Sequence, residues 1–540
     1  RNRSIKCVMS KKRTIASYFG GGVVSDVVKC GGECVECPVC NRSYPSRFIE
    51  AHVSSHLDEG AKRVRREPSV SCSTSPATAR EGSDKSDALS AMMSRSQKKS
   101  IIVFSLRLMG GKLDPVIYFD KDKTSETDTV WSQEVALRNF MCDVGGSGFR
   151  AQSSGPYVLR VCTNIPPLPE MSMHDAETTE SSSINIPLLK SMIQKAFRRG
   201  LVDAGAILSL KLLTVSPEEF LRRIPIVFLE DGMLHCAIPV LVWLMVAVNK
   251  GYRPPRALSA TCLQVYMEAT SHPFRDFVLA PGHAPTSSLS LLDLPAGPAR
   301  TIVGSILIRA AYGGMGPDMR MLKDSAAQWI HRFSCSHSSS IECKYPPPDL
   351  IYLDPLYIGS LSGVRPSSVP APVDCDTLPY RAALLSYIRK YLTLNPFDLE
   401  SEAADWAALL SLMRLKQEAL VAEGIDFHCD RRLIPFVLSQ VEGVENIKKW
   451  LDEKNRTGVP GSLETLVKET IWLFRSAINF RRIDNTLSTE ESKAHSQVVQ
   501  SELGKKSSLS GLWRVICPVI NDYCASKIQS LSQLLRKISK

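Results

Sequence analysis

No Gly-x4-Gly-Lys-Ser/Thr loop occurs anywhere in the 540 residues, so the chain lacks the backbone cradle that holds the phosphates of a hydrolysed nucleotide. One glycine cluster follows an apolar run, Tyr312-Gly-Gly-Met-Gly-Pro-Asp318. It has neither the Gly-x-Gly-x-x-Gly order nor the acidic residue that should follow, and reads as a tight interhelical turn. Long apolar runs are missing too. The longest, at about 233–248, falls short of the roughly 20 residues a membrane span needs and contains His235 and Pro239. It reads as a buried core helix, and no membrane partner is expected. No signal peptide is read at the start. Clustered carboxylates, or a nucleophile beside a base, are not assembled in the sequence, which leaves an enzymatic reading without a motif.

What is present is a globular composition, 44% apolar and 22% charged, long enough for two or three domains. Its formal net charge of +11 is uneven: residues 1–100 hold 18 Lys and Arg against 10 Asp and Glu, so +8 of it falls in the first fifth of the chain. Such a tail suits an anionic partner or nuclear import, while the remainder carries no broad nucleic-acid footprint. Of the 16 cysteines, Cys142, Cys162, Cys236, Cys262 and Cys517 are scattered singly among apolar neighbours. They read as reduced, buried thiols.

Spacing dictates a chemistry in one place. Cys37-Pro-Val-Cys40 is followed by His52-Val-Ser-Ser-His56, a Cys-x2-Cys-x11-His-x3-His pattern. Cysteines two apart aim both sulfurs at one point, and histidines four apart share a helix face, so the four can surround one ion. Thiolate and imidazole suit Zn²⁺, and four protein ligands leave no open position, which makes the site structural. A variant has Cys30 or Cys34 displacing a histidine. Phe48, Val53 and Leu57 supply only a very small core, so the metal must provide most of the folding energy.

The CPVC start, the eleven-residue gap, the helix and Leu57 resemble the ubiquitin-binding zinc finger of DNA-repair proteins, over residues 34–58. Two positions depart from that family: the last ligand, usually cysteine, is His56, and the Asp two places after the first His, which helps hold ubiquitin, is Ser54. The alternative is a single base-reading Cys2His2 finger, but the helix offers Glu50, Ala51, Ser54 and Ser55 where basic or amide side chains would be needed. Further upstream, Met9 looks like a native start, with residues 1–8 ahead of it. Ile15, Tyr18 and Phe19 then fall at i, i+3 and i+4 and would share one face of a helical turn. The string resembles the peptide that binds the PCNA sliding clamp, with Lys12 in place of the family's leading Gln. After the finger, Lys62, Arg63, Arg65 and Arg66 form a basic cluster that reads as nuclear import or phosphate contact.

The expected organisation is a disordered tail with the PCNA-binding peptide (1–29), a zinc finger (30–58), a disordered basic and Ser-rich linker (59–99), a small β-containing subdomain (100–170) and a helical domain (184–540), with a split near 334–375. The fold class is mainly α with a small α+β subdomain, behind an N-terminal zinc finger on a disordered basic tail. Strands are expected at 101–108, 115–120 and 157–163, and a short helix at 130–141. Helices are expected at 188–199, 202–213, 217–229, 301–311, 319–333, 380–394, 399–423, 432–441, 444–454, 462–479 and 512–538. The phrase Ile193-Gln-Lys-Ala-Phe-Arg-Arg, then Phe220-Leu-Arg-Arg-Ile, then Phe228-Leu-Glu-Asp231 resembles the helical domain behind the ATPase core of clamp-loader-like repair ATPases, without that core. Its arginines Arg198, Arg199, Arg222 and Arg223 either line an anionic groove or pair with Glu218, Glu219, Glu230 and Asp231, and pairing is favoured. Asp426 and His428 are a conceivable metal or acid–base pair, with a capping Asp and a packed His favoured.

Three functions fit. The first is an adaptor in DNA repair or damage tolerance, located in the nucleus, that joins zinc, ubiquitin and PCNA contacts through a flexible tether. The second is a nuclease-like repair enzyme carrying the same modules, and the third a zinc-finger protein that binds DNA through its basic tail.

Overall fold

The computed structural model describes residues 34–36, 43–45, 100–119, 128–137, 140–144, 157–169, 185–272, 274–276, 289–335, 378–393, 399–441, 447, 462–483 and 489–538. The chain divides into two compact units, Arg1–Gln97 and Lys98–Lys540. In the first, β1 (Cys34–Glu36) pairs antiparallel with β2 (Ser43–Pro45) in the register Cys34 to Pro45, Val35 to Tyr44 and Glu36 to Ser43. The expected tail and linker lie outside the described residues.

The second unit is mainly α, with 66% of it helical against 12% extended. Its four-stranded mixed sheet has the order β4, β3, β7, β5, from β3 (Ile101–Met109), β4 (Lys112–Phe119), β5 (Trp131–Leu137) and β7 (Tyr157–Thr163). β3 runs antiparallel to β4 and parallel to β7, and β5 closes the other edge antiparallel to β7. Period-two alternation sets the inner face. Ile102, Phe104 and Leu106 of β3 and Leu159 and Val161 of β7 are fully buried.

That face lies on helices, so sheet and helices share one core. The first seven helices are α1 (Ile186–Arg199), α2 (Val202–Val215), α3 (Pro217–Asp231), α4 (Ile238–Asn249), α5 (Arg256–Ser271), α6 (Pro298–Ala311) and α7 (Gly316–Cys335). α4 is apolar all round and buried from Ile238 to Ala247, the pattern of a central helix. Its Trp243 indole donates to the Phe104 carbonyl at 3.1 Å, and Trp131, Trp243 and Tyr252 pack ring against ring at 4.9–6.1 Å. α2 and α5 meet where only glycine fits, since a Cβ at Gly205 would stand 2.6 Å from the Tyr266 hydroxyl. Gly313 and Gly314, both at positive φ, turn the chain between α6 and α7, as the glycine cluster leads one to expect.

The later helices are α8 (Arg381–Thr393), α9 (Leu399–Leu412), α10 (Leu433–Val441), α11 (Leu463–Ile471) and α12 (Thr489–Ile538). Three expectations change here. Residues 131–137 form an edge strand, not a helix: Val135 and Leu137 are buried at alternate positions while Ser132, Gln133, Glu134 and Ala136 are exposed, which is a period of two. The helix expected over 399–423 ends at Leu412 and gives way to short 3₁₀ turns at Gln417–Ala419 and Ala422–Gly424. The second turn lies so close to α1 that a Cβ at Gly424 would stand 2.7 Å from the Met192 Cα. The helix expected over 462–479 widens into a π-turn at Trp472–Ser476. The one expected at 444–454 lies almost wholly outside the described residues.

Candidate functional site

In the first unit the connection between β1 and β2 is the sequence Cys37-Pro-Val-Cys40-Asn-Arg42. The paired strands therefore bracket both cysteines. Cys37, Cys40, His52 and His56 themselves lie outside the described residues, as do Ile15, Tyr18, Phe19, Lys62, Arg63, Arg65 and Arg66.

In the second unit the densest chemistry is a buried polar cluster where α1, the end of α3, the turn 425–430 and the π-turn meet. α1 presents Gln194, Lys195 and Arg198 inward, all at most 6% exposed. Arg198 Nε donates to Asp231 Oδ1 at 2.7 Å, its Nη1 to the Ser476 carbonyl at 2.5 Å, and its Nη2 lies 3.4 Å from Glu230 Oε1. Gln194 Nε2 donates to Asp231 Oδ2 at 2.7 Å, and Arg223 Nη2 donates to Gln194 Oε1 at 2.5 Å. Burial alone would raise the Asp231 carboxyl, but the Arg198 guanidinium and Gln194 hold it below its ordinary range.

One turn back on α1, Lys195 Nζ lies 3.6 Å from Asp426 Oδ2. Burial, then the neighbouring Arg198 cation, push the ammonium down to about 8 against the pull of Asp426. Asp426 also accepts a hydrogen bond from the Ser476 hydroxyl, and its Oδ1 lies 3.1 Å from His428 Nδ1. Burial works against the Asp426 anion, and these partners still hold its carboxyl well below the usual range. The expected cap is therefore corrected. Asp426 is a buried network carboxylate, and the local cap is Asp430, which accepts from the Arg432 amide at 3.1 Å just ahead of α10. His428 packs against Phe427 and Trp472 at 4.0 and 5.9 Å, as a packed histidine should.

The segment after the π-turn fastens helix ends. Arg481 donates to the carbonyls of Phe197, Ala269, Thr270 and His272, at the C-terminal ends of α1 and α5. Such carbonyls have no partner within their own helix. Asn479 Nδ2 donates to the Asp231 carbonyl at 2.8 Å, and the Phe480 amide to the Arg198 carbonyl at 2.9 Å.

The arginine pairs follow the favoured reading with changed partners. Arg198 pairs with Glu230 and Asp231, Arg222 with Glu218 at 3.6 Å, Arg223 with Asp318 at 3.8 Å and Arg199 with Glu423 at 3.9 Å, while Glu219 pairs with Lys190 at 2.6 Å. The isolated thiols are free, and burial pushes Cys236 and Cys262 up to about 12, which keeps both protonated and inert.

Chemically the cluster is a clasp. The Ser476 side chain is fully buried and Asp426 is 1% exposed, so a substrate reaches neither without opening the helices. Among the described residues no group of three or more His, Cys, Asp or Glu side chains is placed to hold a metal, and no helix is long and apolar enough to cross a membrane. Lys195, Ser476, Arg475 and Arg481 were not singled out by the sequence. The one signal was Lys195, a charge set among Met192, Ile193, Ala196 and Phe197 of the buried face of α1. No protein-family model matches this chain, and neither a curated protein nor a solved structure does.

Proposed function

We propose that the chain is a zinc-dependent adaptor of DNA repair or damage tolerance, recruited to ubiquitinated proteins or to the PCNA sliding clamp on DNA in the nucleus. The observation that carries the reading is the Cys-x2-Cys-x11-His-x3-His spacing, whose two cysteines fall in the connection of the β1–β2 hairpin. A short hairpin joined through a Cys-x2-Cys knuckle, followed by helix-phased histidines, is an economical scaffold for a tetrahedral zinc site. In this reading Cys37, Cys40, His52 and His56 hold the ion, which supplies folding energy and no catalysis. Ile15, Tyr18 and Phe19 plug into the clamp, and Lys62, Arg63, Arg65 and Arg66 contact phosphate or an import receptor. Two weak contacts on one tail act together through effective concentration, which favours a clamp that is itself ubiquitinated.

The test is calorimetric titration of the zinc-loaded full chain with mono-ubiquitin and, separately, with PCNA. The reading predicts saturable ubiquitin binding that His52→Ala abolishes, and PCNA binding that Tyr18→Ala with Phe19→Ala abolishes. Heat with neither protein, together with salt-dependent DNA binding lost on neutralising Lys62, Arg63, Arg65 and Arg66, would move the finger to the DNA-binding class.

A further inference from the structure

α12 is a helix of 50 residues with two unlike halves. From Leu509 onward it packs through Leu509, Leu512, Ile516, Ile520, Tyr523 and Cys524, all buried. Over 489–508, about 30 Å of helix, the residues whose burial is described are exposed, Lys506 alone being half-buried, and Leu503 stands 54% exposed. That stretch holds five serines and Gly504. Serine and glycine are poor helix formers, and a helix of this length is marginal in water even with good ones. A straight helix here calls for something to lie against it.

The order of charges says what. The stretch opens acidic, with Glu490 and Glu491, and closes basic, with Lys505 and Lys506, and the two pairs are equidistant from Val498. Glu491, Val498 and Lys505 are spaced by seven and so fall on one side of the helix. Val499 adds apolar surface at the midpoint. We propose that residues 489–508 pair antiparallel with the same residues of a second copy of this chain, about a two-fold axis near Val498. The acidic turn of each copy then lies alongside the basic turn of the other, twice per dimer, and the two helix dipoles oppose. A parallel pair would set like charges together. Such an interface is isologous and closes at two chains, and charges of this kind set partner and orientation in paired helices.

Sedimentation velocity on the full chain, over a wide concentration range at low and high salt, tests this. The expected result is a monomer–dimer equilibrium weakened by salt. Glu490→Lys with Glu491→Lys should weaken it by roughly tenfold or more, as should Lys505→Glu with Lys506→Glu, because each turns attractive pairs into repulsive ones. The four substitutions combined should restore dimerisation, a rescue that a folding defect would not give. A chain that stays monomeric throughout overturns the proposal, as does a dimer indifferent to either reversal or one the combined variant fails to restore.

Discussion

The two units of this chain are built on opposite economies. Lys98–Lys540 buries a continuous apolar core, with Trp243, Tyr266, Phe104, Phe197 and Phe228 all fully enclosed, so its order comes from area removed from water. Around the described hairpin of Arg1–Gln97 the sequence offers only Phe48, Val53 and Leu57 as apolar packing. If the zinc reading holds, its order comes from four bonds to one ion. A unit held by metal should fail all at once when the metal leaves, whereas one held by packing should fail in proportion to what is removed.

The largest expected effect is therefore metal removal. A chelator, or Cys37→Ser, should abolish protection of the backbone amides over 34–45 in hydrogen exchange, because zinc supplies on the order of 10 kcal/mol to such modules. The thermal transition of the helical unit should not move. A shared shift of both would break the contrast.

Next comes the clasp. Asp231→Ala leaves the Arg198 cation buried without its closest carboxylate and should destabilise the helical unit by about 3–5 kcal/mol in urea titrations. Replacing Arg198 and Asp231 together with apolar residues should cost much less, since the penalty lies mainly in the orphaned charge. Smaller again is Gly205→Ala, which pushes a methyl against the Tyr266 hydroxyl between α2 and α5 and should cost about 1–3 kcal/mol.

The finest effect concerns Glu268. Burial pushes its carboxyl up to about 8, against the opposing hydrogen bond from Gln264 and the charge of Arg381. Between its ordinary value of 4.5 and about 8 the folded chain keeps a proton that the unfolded chain has lost. The folded state then binds more protons, so stability falls as pH rises through that window. Glu268→Gln removes this slope, and its melting temperature relative to the parent chain should be higher at pH 8 than at pH 5. Equal differences at both values would contradict the assignment.

Much of the fold was legible because local periodicity and tertiary placement agree. Ile101 to Leu108 alternates and is β3, and the apolar run ending at Val248 is the buried helix α4. β5 was misread because an edge strand buries only two of its side chains, too few to mark a period. The stretch after Leu412 was misread as helix because nothing local announces the close approach of Gly424 to α1. The clasp was illegible for a different reason. Arg198 and Ser476 stand 278 positions apart, and Lys195 and Asp426 meet only once α1, the turn at 425–430 and the π-turn are packed together. The zinc pattern is the reverse case, in which spacing speaks before any fold does.

The most direct test of the account is metal analysis of the full chain after exhaustive dialysis, beside Cys37→Ser and His52→Ala variants. The account predicts one zinc per chain, lost in both variants, with the melting of the helical unit unchanged. A metal-free parent chain, or zinc retained in both variants, would contradict it.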